Sequence, residues 1–394
     1  MQVTSNACVG SRVKWFWRAG VLVLGLELAS ACGLKLYTTQ VPLETEASFD
    51  NAFFSALPQY STQKIEEIKA SAWDPVLGHT NFAGTSRLLR NQAGSEYQIS
   101  FDSRAGRTLD FPGPAALSSY GDSFTLGDEV NDHETWQAQL SRRWGKRVEN
   151  FGVGAYGPDQ ALLRMRQLRE RGIDQAPAVL LTIWSENINR LGVMYYGFYM
   201  RGTVGFKPMY RIEGGALQLI PNPLSRFENS GDLERAYQRS KDWDRWFHLR
   251  ATESPGVPFS WSLLKLAWNS YHNSRTSRAI GEYRDADSMQ LLTQIIEEFE
   301  RFSREYRVTP WVLFVPSHSD LRLFQQRAAV PYQKYLQGLR ARQRLGQVRI
   351  LDALEEDFDA QQFFIKPFEG HASVYGNAVI AQALHTQLSG SVSQ

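Results

Sequence analysis

A chain of 394 residues with 43% apolar and 21% charged residues has the material for one large or two modest folded domains, which excludes a disordered chain. The formal net charge of +2, without blocks of like charge, gives no basic surface for nucleic acid. Cys8 and Cys32 are the only cysteines, so the body of the protein has neither a disulfide nor a thiolate metal site.

The first 33 residues read as a signal peptide or membrane anchor. Arg12, Lys14 and Arg18 precede an apolar run from Ala19 to Ala31, of signal-peptide length and too short for a comfortable membrane span. Ala29 and Ala31 suit cleavage by a signal peptidase, and Leu28-Ala29-Ser30-Ala31-Cys32 resembles a lipoprotein box with Cys32 as the lipidated residue. Glu27 departs from that pattern, because a charge inside the apolar run is costly in lipid. The expectation is export, to the periplasm or cell surface, with release, a tether and a buried N-terminal helix all left open.

Residues 34–113 form an N-terminal extension, expected to pack on the main domain. Ile65, Ile68 and Trp73 suggest a short amphipathic helix, and Tyr97 to Phe101 alternates like a strand. The main domain, 114–394, alternates strands with helices. The strands expected are Ala115–Tyr120, Arg147–Phe151, Ala178–Ile183, Trp311–Val315 and Val348–Leu351. The helices are Gln160–Arg171, Gln290–Tyr306 and Val374–Leu388, the first two with apolar residues on one face. This alternation implies a three-layer α/β/α, flavodoxin-like domain around a parallel sheet of about five strands. Residues 190–285 exceed what a crossover needs and read as a cap-like insertion. It carries a hairpin around Glu213-Gly214-Gly215 and Trp243, Trp246, Trp261 and Trp268, read as packing residues or as a stacking platform for substrate.

Four blocks fall where loops leave the carboxyl ends of the strands, the edge at which such sheets bind ligands. They are Gly121-Asp122-Ser123, the run Asn150 to Gln160, Trp184-Ser185-Glu186-Asn187, and Glu369-Gly370-His371 before the last helix. A serine hydroxyl needs a base to take its proton as it attacks, and a histidine has the pKa for that task. Asp122 is expected to brace the turn through local hydrogen bonds, and Arg190 to be an exposed arginine of a helix or lid, with contact to an anionic or sugar substrate as the alternative. The other histidines, His79 and His318 among them, read as structural.

In this order the four blocks resemble the SGNH (GDSL-type) hydrolase superfamily, from about Ala115 to Leu388 without the insertion. The resemblance implies a serine esterase with Ser123 as nucleophile and His371 as base. It implies an oxyanion hole made by the Ser123 and Ala155 N–H groups and the Asn187 amide, with no metal or organic cofactor. Two positions depart from the family pattern. Ala155 replaces a glycine, which is tolerable if its φ is negative and its methyl points away. The acid before the histidine is Glu369, two residues ahead, which an extended loop would aim the same way as His371. The alternative is a solvated Glu369, with His371 held by a backbone carbonyl. The implied substrate is a small-molecule or glycan acyl ester, O-acetyl included. An O-acyltransferase using the same site and a glycan-binding protein without turnover are the other readings.

Overall fold

The apolar runs after residue 114 become strands because only a sheet covered on both faces can bury them. The computed structural model describes residues 21–36, 44–200, 202–251, 257–268, 283–341, 349–355 and 358–389. Five parallel strands form one sheet: β1 (Ala115–Tyr120), β2 (Arg147–Asn150), β3 (Ala178–Trp184), β4 (Thr309–Val315) and β5 (Arg349–Asp352). Their order is β5-β4-β3-β1-β2, the flavodoxin-like arrangement with its switch point between β1 and β3. In β3 and β4 every residue after the first is buried, as a strand with helices on both sides requires. The expected three-layer α/β/α architecture is therefore the one observed. Val348, the expected first residue of β5, lies outside the described residues.

The helices that matter below are α1 (Glu46–Ala56), α2 (Thr62–Ser71), α3 (Ser123–Leu126), α4 (Trp136–Trp144), α5 (Pro158–Glu170), α6 (Ala286–Glu305) and α7 (Val374–Ser389). Helices α4 and α7 pack together on one face of the sheet, and α5 and α6 on the other. The buried apolar residues of α6 (Leu292, Ile295, Ile296, Phe299 and Phe302) repeat at three and four. That spacing gives one apolar stripe facing the strands.

The extension departs from expectation because its two parts go to different places. Helices α1 and α2 leave the main domain and join the insertion. Phe49, Phe53 and Ile65 share a second core with Tyr195, Phe198, Tyr237 and Phe247, and the Phe53 and Tyr237 rings stack at 4.0 Å. The later part packs on the main domain, as expected. Leu77 belongs to the main core, and Asn81 Nδ2 donates to the carbonyls of Ala105 and Gly152. An antiparallel hairpin follows, Ser86–Arg90 against Glu96–Ser100. Inside the insertion the expected hairpin is present, Met209–Glu213 against Ala216–Ile220. Of its tryptophans, Trp246 is buried, whereas Trp243, Trp261 and Trp268 are exposed.

Candidate active site

The strand order brings the loop after β1, with Ser123, beside the loop after β3, with Asn187. Ser123 opens the four-residue helix α3, whose N-cap is Asp122. Asp122 is fully buried and accepts from Phe124 N–H at 2.9 Å. It braces the turn, as the sequence suggests. Gly152 brings the second block against α3, since a Cβ there would stand 2.3 Å from Leu126 N and 2.7 Å from Thr125 C. Only glycine permits that approach. Val153 N–H donates to Gly121 O at 3.1 Å, which ties the block to the turn holding Ser123.

His371 lies on a short strand, Glu369–Ala372, that packs against α3. Its ring centroid is 5.2 Å from that of Phe124, the residue after Ser123. The ring's Nδ1 is 2.9 Å from Glu129 Oε2, and His371 N–H donates to the same oxygen at 2.8 Å. The carboxylate at the ring is thus Glu129 rather than the expected Glu369. Alternation fails at this loop because Gly370 between them has φ +77° and turns the chain, leaving Glu369 exposed and level with Lys366 of the neighbouring strand. A Cβ on Gly370 would also stand 3.0 Å from Glu129 Oε2. Glycine at this position lets the carboxylate approach.

Glu129 itself is held from several sides. Gln92 N–H donates to its Oε1 at 2.8 Å, and Asn91 Nδ2 donates to its backbone carbonyl at 3.3 Å. Both residues come from the turn of the Ser86–Ser100 hairpin, so the extension supplies part of the site. The backbone φ of Glu129 is +69°, a strained value for a non-glycine residue that the surrounding bonds must maintain. Burial would raise the Glu129 pKa, but the hydrogen bonds from His371 and Gln92 outweigh it and hold it at about 2. For His371 burial works downward, yet the bond to Glu129 and the charges of Asp128, Glu129 and Asp122 raise its pKa above the ordinary value.

Ala155 also differs from the expected geometry. Its φ is +65°, not negative. Two neighbouring carbonyls explain this: Gly154 O is bonded by His79 Nε2 at 2.9 Å, and Ala155 O accepts from Tyr196 OH at 2.8 Å. The methyl packs on the second core. It lines an apolar cleft of about 310 Å3 walled also by Trp73, Tyr196, Phe206 and Phe227. Asn187 is buried, and its Oδ1 has no partner among the described residues. Buried amide oxygens without a partner are uncommon, and those of Asn189 and Gln137 share the condition.

Two residues read as bystanders have definite places here. Arg190 is not an exposed lid arginine: its Nη1 donates to Tyr156 O at 2.8 Å and lies 3.4 Å from Asp122 Oδ2. It ties the second block to the N-cap of α3. The His318 Nε2 is bonded to Gly370 O at 2.8 Å. Burial lowers the His318 pKa, so the neutral ring donates and fixes the residue before His371. The rings of Phe124 and Trp184 stack at 4.5 Å, and His318 and Phe364 lie 4.2 Å apart, giving the site an aromatic wall. The signal that could have identified Glu129 is its position six residues after Ser123, in a loop leaving the same sheet edge.

No protein-family model and no curated protein matches the chain. Among solved structures it is similar to a putative lipolytic protein of the G-D-S-L family from Desulfitobacterium hafniense, at 10% identity and TM-score 0.35, covering 68% of this chain and 97% of that one. A G-D-S-L family lipolytic protein from Veillonella parvula is similar at 10% identity and TM-score 0.34, covering 69% and 97%. A carbohydrate esterase family 2 enzyme from Corynascus thermopiles is similar at 12% identity and TM-score 0.32, covering 75% and 72%. Likeness at this level leaves the reading of the site to its own geometry. The strand order, with four sequence blocks at one sheet edge, is that of a flavodoxin-like α/β/α fold.

Proposed function

We propose that the protein is a serine esterase acting on O-acyl esters, with Ser123, His371 and Glu129 as its catalytic group. The observation that carries this is the His371 ring, held through Nδ1 by a buried, ionised carboxylate on the loop that follows the serine helix. With Nδ1 engaged, Nε2 is the nitrogen left to exchange a proton with the serine.

In the first half-reaction Ser123 Oγ attacks the ester carbonyl carbon while its proton passes to His371 Nε2. The carbonyl π pair moves onto oxygen, where the N–H groups of Ser123 and Ala155 and the Asn187 amide receive it. Collapse breaks the bond to the alcohol oxygen, and the His371 imidazolium protonates the departing alkoxide. Glu129 stays ionised and stabilises that imidazolium. In the second half-reaction water attacks the acyl-serine, losing its proton to His371, and the acid leaves as Ser123 regains its hydrogen. The substrate class proposed is an acyl ester of a sugar or other small alcohol, O-acetyl included, met by an exported protein.

Transfer to a second alcohol is the other outcome of the same acyl-enzyme, and the aromatic wall favours it by excluding water. Turnover of a p-nitrophenyl acyl ester, followed with and without a sugar acceptor, tests both. Acid release abolished by Ser123→Ala supports the esterase, and an acylated sugar as main product supports transfer. Equal turnover by Ser123→Ala would refute the site.

A further inference from the structure

Glu27 is the one charge within the apolar run from Ala19 to Ala31, and the structure shows what it meets. Residues 21–36 are helical, and so are residues 259–268 of the insertion. The Glu27 carboxylate accepts from Phe259 N–H at 2.5 Å, from Ser260 N–H at 3.3 Å and from the Ser260 hydroxyl. It caps the second helix across a sequence gap of more than two hundred residues, as a capping side chain does within one chain segment. Ser30 and Leu34, on the same face at spacings of three and seven, are buried. A Cβ on Gly33 would stand 4.0 Å from Leu263 Cδ2, so this face of the first helix lies close to the second. The two helices therefore dock through a chosen face.

Their other faces are apolar and open. Val21, Leu22, Val23, Leu24, Leu26 and Leu28 are 59–74% exposed. Four of them are consecutive, so they point to every side of the helix. A protein groove covers one side of a helix; an apolar surface exposed all round needs an apolar surrounding. On the insertion helix Trp261, Leu264 and Trp268 are 57–64% exposed. Their spacing of three and four makes one stripe, with Lys265 beside it. Tryptophan and lysine together belong where acyl chains meet headgroups. In the sequence Arg12, Lys14 and Arg18 precede the first helix, the charge that favours anionic lipid; they lie outside the described residues. Among the described residues no helix is long and apolar enough to cross a membrane.

We infer that the N-terminal helix and the 259–268 helix of the insertion form one lipid-binding unit, retained in the protein, whose Trp261/Leu264/Trp268 stripe enters the acyl region of a bilayer. Glu27 is then a docking residue that joins an anchor to the insertion. This account is independent of the chemistry at Ser123.

The test uses the full chain, with intact mass confirming that residues 21–36 are retained. It is mixed with vesicles of phosphatidylcholine and phosphatidylglycerol, with and without bromine on the acyl tails. Brominated tails should quench part of the tryptophan emission, and that part should fall in Trp261→Phe/Trp268→Phe but not in Trp243→Phe, the remainder coming from Trp15 and Trp17 of the N-terminal segment. Trp261→Ser/Leu264→Ser/Trp268→Ser should cut the vesicle-bound fraction about tenfold, the loss expected when buried apolar area leaves an interface. Identical quenching in the double phenylalanine variant would overturn the proposal. So would a lipid-free dimer that shields both tryptophans, which would assign the face to a second copy of the chain.

Discussion

At His371 the question is which carboxylate holds Nδ1, and two glutamates give opposite expectations. Glu129→Gln keeps the size of the side chain but removes the charge that stabilises the imidazolium. It should lower kcat on the order of ten-thousandfold, the loss typical when a triad acid becomes an amide. The pH profile gives a second readout. The His371 pKa is raised, chiefly by Glu129 against the effect of burial, and the base must be neutral to act. Activity should therefore rise with pH through a value above the ordinary histidine range, and the inflection should move to lower pH in Glu129→Gln. Glu369→Gln should change neither kcat nor the inflection. Asn187→Ala should cost about 3–4 kcal/mol in the barrier with little change in KM, since an oxyanion donor acts in the transition state. The loops that carry Ser123, His371 and Asn187 were legible in the sequence because each block falls directly after a strand or before a helix. Glu129 was not. It reaches a histidine 242 residues away through a backbone conformation that the Gln92 and Asn91 contacts help to hold.

The loop that presents Glu129 is fixed by one buried side chain, Arg107. Its guanidinium donates to Asp132 Oδ1 at 2.9 Å, and to the carbonyls of Leu126 at 2.8 Å, Val130 at 2.5 Å, Gln98 at 3.3 Å and Gly127. These partners span the loop from Leu126 to Asp132 and the strand beside it. Lysine has neither the reach nor the planar fork to serve them all. Arg107→Lys should destabilise the fold by about 2–3 kcal/mol, the scale of a charged hydrogen bond left unmade. It should also lower kcat more than KM is raised, because Glu129 loses its setting. A thermal melt and steady-state kinetics on the same sample separate the two effects. Sequence could not assign this role, as an arginine in a turn-rich stretch carries no sign of burial. The strands and helices were legible because each depends on its own periodicity; Arg107 depends on the carbonyls of a loop beyond the next strand.

Across the whole molecule, the insertion and the main domain meet through a buried ion pair as well as through apolar cores. Lys207 of the insertion bonds Asp159 at the start of α5, and both side chains are fully buried. Burial works against both charges, raising the acid's pKa and lowering the amine's, so the pair persists by mutual contact. Lys207→Met should destabilise the protein by about 3–5 kcal/mol, by leaving the buried Asp159 without its cation. Adding Asp159→Leu should recover most of the loss in a denaturant melt. The parallel sheet and the presence of an insertion were legible in chain order. That α1 and α2 complete the insertion's core was not, because both core partners are aromatic runs without a distinguishing period. The central proposal is that Ser123 is an activated nucleophile served by His371 and Glu129. Mass-spectrometric mapping of a fluorophosphonate adduct tests it most directly. The account predicts an adduct on Ser123 in the unmutated protein and in Glu369→Gln, slowed by orders of magnitude in Glu129→Gln and lost in His371→Ala. Equal labelling of Glu129→Gln and the unmutated protein, or a folded protein that takes no label at Ser123, would contradict it.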